Sequence, residues 1–222
     1  MRDSREKIFA AIRNGLHGSE KLDAERNNRS PLKKILNGSF EMLFDKFQKE
    51  LNQLGGEAVV IHDEEEASKF IATRAGSNVF VYREVSSGHK GIIDSMKVSV
   101  KTSADFNFGY DKRTAAVFDS AISSCVACVA ETGTVVFASE MRLPAALATK
   151  LFVIADSDLL LPSLDELFTD KYKSFEGSNL FLITGPSRTA DIEKELVTGV
   201  HGPKEVYVVF IKSQRSKLRN KS

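Results

Sequence analysis

Short apolar runs alternate along this chain with segments of helical spacing, and that alternation constrains the fold more than any other feature. EAVVI (57–61), NVFVY (78–82), KLFVIA (150–155), NLFLIT (179–184) and EVYVVFI (205–211) each have the length and branched or aromatic content of a strand. KLFVIA and NLFLIT are continuously apolar, the pattern of strands covered on both faces. Between the runs lie helix signals. Leu43, Phe44, Phe47, Leu51 and Leu54 keep one apolar stripe over 40–54, with Ser39 as cap and Gly55–Gly56 as stop. Asp63 and Glu66 make a box-like start for EEEASKFIATRA. SLDELF (163–168) reads as a helix behind Pro162, and DIEKELV as a helix ended by Gly199. Strands alternating with helices predict an α/β domain, a three-layer α/β/α sandwich with a mainly parallel sheet. CVACVAETGTVVFA predicts a hairpin around a Thr-Gly turn, and 83–120 carries mixed signals with no firm assignment.

The ends of the chain read differently. Residues 4–14 have the spacing of a short helix, with Ser4 as cap and Ile8, Phe9 and Ile12 on one face. Residues 15–38 are polar, charged and punctuated, so 1–38 reads as a helix plus a polar linker or docking arm. Residues 215–222 form a basic tail. The 222 residues carry 31 Lys and Arg against 30 Asp and Glu, a net charge of +1, which gives no electrostatic footprint for nucleic acid or an anionic membrane. No apolar run approaches the ~20 residues that span a bilayer, and the N-terminus has no secretory h-region. The cytoplasm is the expected compartment.

Chemistry concentrates in three places. In TGPSRTAD, Gly185 and Pro186 suit a turn, Ser187 or Thr189 can cap the expected helix, and Asp191 falls in its first turn. Arg188 is surplus to that arrangement, because a cation at a helix N-terminus is unfavourable by ~0.3–1 kcal/mol unless an anion or solvent offsets it. It marks a candidate anion site. In GVHGP, His201 can bond the free carbonyls of the same helix and Gly202-Pro203 shapes the next turn, a structural use. A helix between the two joints would set them ~15 Å apart, on opposite edges of the sheet unless a homo-oligomer brings them together. In AETGT, Glu131 lies between two apolar runs, where a carboxylate must be paired, bonded or protonated, with Thr132, Gly133 and Thr134 beside it.

Cys125 and Cys128 form a CxxC, but in a β-rich context that suits buried apolar thiols better than a redox pair. Two cysteines do not hold an iron–sulfur cluster or a tetrahedral zinc within one chain, and the four histidines (His17, His62, His89, His201) are too scattered for a metal site. No metal or cofactor of the chain's own is expected.

AETGTVVF (130–137) followed by TGPSRTADIEKELVTGVHGPKEVYVV (184–209) resembles the LUD-domain family of lactate-utilisation proteins, the LutC/YkgG type, over about residues 40–212. The resemblance implies a fold like the NagB/RpiA/CoA-transferase group over 39–214, with 1–38 as the family's variable N-terminal helical extension. It also implies a role in oxidising L-lactate to pyruvate, alongside partner proteins that carry the iron–sulfur clusters. The family's LP-x-x-H pattern is broken: the segment reads RLPAALATKLFVI, with Thr149 and Lys150 where a His is expected. The site implied is Glu131 as acid or base, with Thr132, Gly133, Thr134, Gly185, Pro186, Ser187, Arg188, Thr189 and Asp191 around a small carboxylic acid or acidic cofactor. Fold analogy alone adds a CoA-transferase-like enzyme that uses Glu131 as nucleophile. A scaffold without chemistry is the third expectation.

Overall fold

Helix α1 (Phe40–Gln53) forms because Leu43, Phe47 and Leu51 recur on one face, and all three are buried. Its start carries no side-chain cap from Ser39. Its end is a Schellman turn: Gly55, at φ 87°, and Gly56 donate their N–H groups to Asn52 O and Leu51 O, both at 3.0 Å. Leu54 lies past the stripe and is 38% exposed, contrary to the expected burial. The described residues, in a computed structural model, are 38–82, 85, 89–96, 99–102, 118–138, 148–168, 180–190, 196–198 and 202–212.

In chain order the strands are β1 (Glu57–Ile61), β2 (Asn78–Val81), β3 (Ser99–Thr102), β4 (Ser120–Ser124), β5 (Ala127–Val129), β6 (Thr134–Ala138), β7 (Lys150–Asp156), β8 (Leu160–Leu161), β9 (Leu180–Ile183), β10 (Arg188–Ala190), β11 (Leu196–Thr198) and β12 (Glu205–Ile211). Helices α2 (Glu64–Ala72) and α3 (Lys90–Ser95) follow β1 and β2. The box at the start of α2 forms as read: the Asp63 carboxylate accepts from Glu66 N at 2.8 Å, and the Glu66 carboxylate from His62 N at 3.4 Å.

Six strands make one parallel sheet in the order β1-β12-β7-β4-β2-β3. Tyr207 and Phe210 stand three apart on β12 and therefore on opposite faces. The rings of Phe40, Phe44 and Phe47 on α1 meet Phe210 at 5.3–5.9 Å. Phe70 of α2 meets Tyr207 at 6.2 Å from the other side. Helices thus cover both faces of the sheet, and the expected three-layer α/β arrangement holds. A second sheet, order β8-β5-β6-β9, carries the β5–β6 hairpin, and β10 pairs antiparallel with β11.

Three expectations are corrected, and the unassigned 83–120 stretch is described in part. NLFLIT is not a strand covered on both faces: β9 lies antiparallel to β6 in the small sheet, and Leu182 is 49% exposed. SLDELF tightens into a 3-10 turn over Leu164–Phe168. The weakly read 83–120 stretch contains α3 and β3 and ends at the first residue of β4. DIEKELV does not run as a helix to Gly199, because Leu196–Thr198 is a strand returning alongside Arg188–Ala190. The expected arm, apart from Gly38, and the basic tail lie outside the described residues. Among the described residues no helix is long and apolar enough to cross a membrane.

Candidate functional site

The AETGT turn closes the β5–β6 hairpin as predicted. Ala130 N donates to Leu161 O at 2.8 Å and Glu131 N to Pro162 O at 3.1 Å, which ties the turn to the end of β8. Gly133 explains why the turn needs glycine. At φ 64°, a Cβ there would lie 2.5 Å from Leu51 N and 3.0 Å from the carbonyl carbon of Glu50. The turn therefore sits directly on the backbone of α1. Glu131 is half-buried, and among the described residues its carboxylate has no hydrogen-bond or ion-pair partner. Thr132 is exposed, while Thr134 is 4% exposed. Their hydroxyls meet at 2.7 Å.

The second motif begins where β9 ends. The register Val135↔Ile183 carries the chain on to Thr184, whose hydroxyl meets that of Thr134 at 2.8 Å. Gly185, at φ 122°, lies against Leu54, where a Cβ would come within 3.1 Å of the leucine Cβ. Arg188 then reaches back to α1 and donates from Nη2 to Leu54 O at 2.7 Å. This reverses its expected setting. Arg188 starts a strand, so Ser187 and Thr189 cap no helix there, and its guanidinium serves the negative C-terminal pole of α1, where a cation is favourable.

The hairpin also corrects the expected separation of the two joints. Pairing Arg188 with Thr198 brings the chain back to its start instead of carrying it along a helix. Ser187 N donates to Pro203 O at 2.8 Å, and a Cβ on Gly202 would lie 2.8 Å from that of Ser187. GPSR and GP(202–203) are neighbours. Asp191 and His201 lie outside the described residues, as does the side chain of Thr189.

The contacts of Gly133, Gly185 and Arg188 converge on the C-terminus of α1, at the edge where β1 and β12 begin. Open α/β sheets usually bind ligands at the opposite, carboxyl edge. A pocket of about 380 Å³ opens beside Gly55 on this edge, lined by Asn52, Gly56, Glu57, Glu205, Val206 and Tyr207 as well. Burial and the neighbouring Glu205, which accepts from the Tyr207 hydroxyl at 2.5 Å, push that hydroxyl up to about 12. Thr184 is the residue that sequence reasoning missed as a contact; its only signal was its place at the head of TGPSR.

Cys125 and Cys128 are buried with their sulfurs 3.7 Å apart, as expected of apolar thiols. Burial pushes the Cys128 thiol well above its ordinary range, which suppresses the reactive thiolate. Among the described residues no group of three or more His, Cys, Asp or Glu side chains could hold a metal ion.

These features define a parallel α/β domain whose hairpin is clasped onto the end of α1. The LUD domain family pattern matches residues 44–211, and the chain belongs to that family. It is 38% identical over 90 residues to a lactate utilization protein C of Bacillus licheniformis, covering 36% of this chain and 38% of the relative. A lactate utilization protein C of Macrococcus caseolyticus is 36% identical over 90 residues, 36% of this chain and 39% of the relative. An uncharacterized protein of Neisseria meningitidis is 28% identical over 102 residues, 42% of each chain. The matched stretches span about two fifths of these relatives. The crystal structure of a DUF162 family protein from Deinococcus radiodurans shares the fold, with a TM-score of 0.59 at 16% identity over 78% of this chain and 99% of that one.

Proposed function

We propose that the chain is a LutC-type member of a lactate-utilisation system, acting with iron–sulfur partner proteins in the oxidation of L-lactate to pyruvate. Family membership and the relatives named lactate utilization protein C support the pathway. The observation that carries a ligand site is the Thr134–Thr184 contact, because it draws the ETGT and TGPSR motifs onto one patch of the molecule.

In this reading Arg188 binds the carboxylate of a small 2-hydroxy or 2-keto acid, or of an acidic cofactor. A guanidinium has five N–H donors, and the bond to Leu54 O takes one Nη2 hydrogen. The α1 terminus opposes an anion by ~0.3–1 kcal/mol, less than the ~1.5–3 kcal/mol of a hydrogen bond to a charged group. The cation therefore decides the sign. The turn of Gly185, Pro186 and Ser187 supplies backbone and hydroxyl contacts, with Thr132 across from it. Glu131 would accept the proton of the lactate hydroxyl; oxidation to pyruvate also breaks the C2–H bond, and that hydrogen with the two electrons would be taken by the partner proteins, whose iron–sulfur clusters would supply the electron acceptor.

The test is a titration of wild type and Arg188→Ala with L-lactate, pyruvate and acyl-CoA, with thermal melts as folding controls. At least one acid should bind wild type and weaken tenfold or more in the variant. Equal binding by both proteins would overturn the anion site.

A second reading takes Glu131, half-buried and without a partner among the described residues, as a nucleophile toward acyl-CoA, in the manner of a CoA-transferase. It expects a covalent acyl or CoA adduct by mass spectrometry that is lost in Glu131→Gln; no adduct with any acyl-CoA tried counts against it.

A further inference from the structure

Gly55 joins Arg188 to the pocket of about 380 Å³. A Cβ on this glycine would lie 2.9 Å from Nη2 of Arg188, and the same residue lines the pocket together with Gly56 and Glu57. Whatever the conformation between them, the Cα atoms of Gly55 and Glu57 stand within about 7 Å of each other. Glu57 opens β1 opposite Tyr207 in register, so the two side chains share a face of the sheet, and Glu205 lies two residues before Tyr207 on that face. The two carboxylates differ in their surroundings. Glu205 accepts from the Tyr207 hydroxyl at 2.5 Å and lies 3.7 Å from Lys150 Nζ. Glu57 is half-buried, with no hydrogen-bond or ion-pair partner among the described residues. The other cation on this side, Arg74, lies over the Phe70 ring at 4.0 Å and donates to Phe70 O at 3.2 Å. Neither Arg74 nor Lys150 lines the pocket. The Glu57 charge therefore faces it uncompensated.

We infer that Glu57 is a specificity-determining residue, which admits acids with one negative charge and repels those with more. This rests on the ligand site proposed above, and it favours a small monocarboxylic acid over a polyanionic cofactor. A charge needs no fixed contact to act at this range. Its field reaches about 8 Å at physiological salt, and it is screened less where protein replaces water. Arg188 offsets the first carboxylate of a ligand. A second carboxylate or a phosphate in the pocket has Glu57 for a neighbour, and the negative C-terminal pole of α1 lines the same space. An uncharged tail meets no such opposition, and the pocket lies toward the small end of the ~300–1,000 Å³ range for ligand sites. The class assigned is a 2-hydroxy or 2-keto monocarboxylic acid with an uncharged remainder.

L-malate and its 4-amide match in shape and differ by one charge, so they separate charge from size. In isothermal titration, wild type should bind L-lactate and the amide, with L-malate weaker than the amide by about tenfold or more. In Glu57→Gln, which keeps the shape of the side chain, that ratio should fall to within about twofold. Glu205→Gln should keep most of the ratio, because Lys150 already offsets Glu205. Added salt should narrow the ratio in wild type and leave it unchanged in Glu57→Gln. Thermal melts confirm that each variant is folded. Equal binding of malate and amide by wild type, or a ratio that survives in Glu57→Gln, overturns the inference while leaving the ligand site standing. Exclusion of both compounds alike traces the selection to size and overturns it too. Failure of wild type to bind either lactate or the amide overturns the ligand site and the inference with it.

Discussion

β12 and β9 are written in the same vocabulary, EVYVVFI and LFLI, yet they end in different surroundings. β12 has a parallel neighbour on each side and a helix on each face, and Phe210 is fully buried. β9 pairs with β6 along one side, and Leu182 stands half in solvent. The lesson is that an apolar run states that a strand has something to bury, not how many faces it buries. What separates the two is the chain around them. β12 follows a Gly-Pro joint into the middle of the sheet, whereas β9 runs out into the Thr-Gly-Pro loop that packs on α1.

Substitutions can break this contrast, beginning with the largest effect. Phe210→Ala removes a ring packed against three phenylalanines of α1 and should cost about 3–5 kcal/mol in denaturant unfolding. Gly133→Ala should cost about 1–3 kcal/mol for the positive φ alone, and more because the new methyl meets the backbone of α1; the same unfolding curve measures it. Arg188→Ala removes one bond to the α1 terminus and should cost about 1 kcal/mol, with the larger loss appearing in acid binding. Leu182→Ser, on the exposed strand, should change stability by less than about 0.5 kcal/mol. If it costs as much as Phe210→Ala, then β9 is covered by something the contrast omits.

A pH series sharpens the β12 side. Because the Tyr207 hydroxyl is raised to about 12 in the fold, the unfolded chain ionises first, near the ordinary value of 10.0. The contribution of Tyr207 to stability is present below pH 10 and is lost as the pH rises toward 12. In alkaline unfolding, Tyr207→Phe should fall less steeply across that window than wild type.

The parts that were legible in the sequence are those whose causes are local. Asp63 and Glu66 box the start of α2 within four residues of each other, and Gly55–Gly56 closes α1 by bonds within its last turn. The hairpin around Thr132–Gly133 was readable for the same reason. The 184–198 stretch was not. Leu196 and Val197, with the charged EKE before them, satisfy helical spacing, and only pairing with Arg188–Ala190 selects the strand. The partners of the candidate site are remote as well. The Thr184 hydroxyl finds its neighbour 50 positions away, and Arg188 finds its carbonyl 134 positions away. No window of sequence contains both ends of such a bond. The candidate residues could be named from the sequence, and their arrangement could not.

The place of β12 in the sheet has a consequence for how the molecule is made. It lies between β1 and β7, pairing Val59 with Val209 and Ile154 with Val209 on its other side. A chain emerging from the ribosome N-terminus first holds β1 and β7 as unpaired edges until this last strand arrives. Such long-range parallel closure is slow. The clasp on α1 waits for the same interval, since Gly185 and Arg188 lie just ahead of β12. A nascent chain halted short of β12 would expose two open strand edges, a form that chaperones and proteases are suited to recognise.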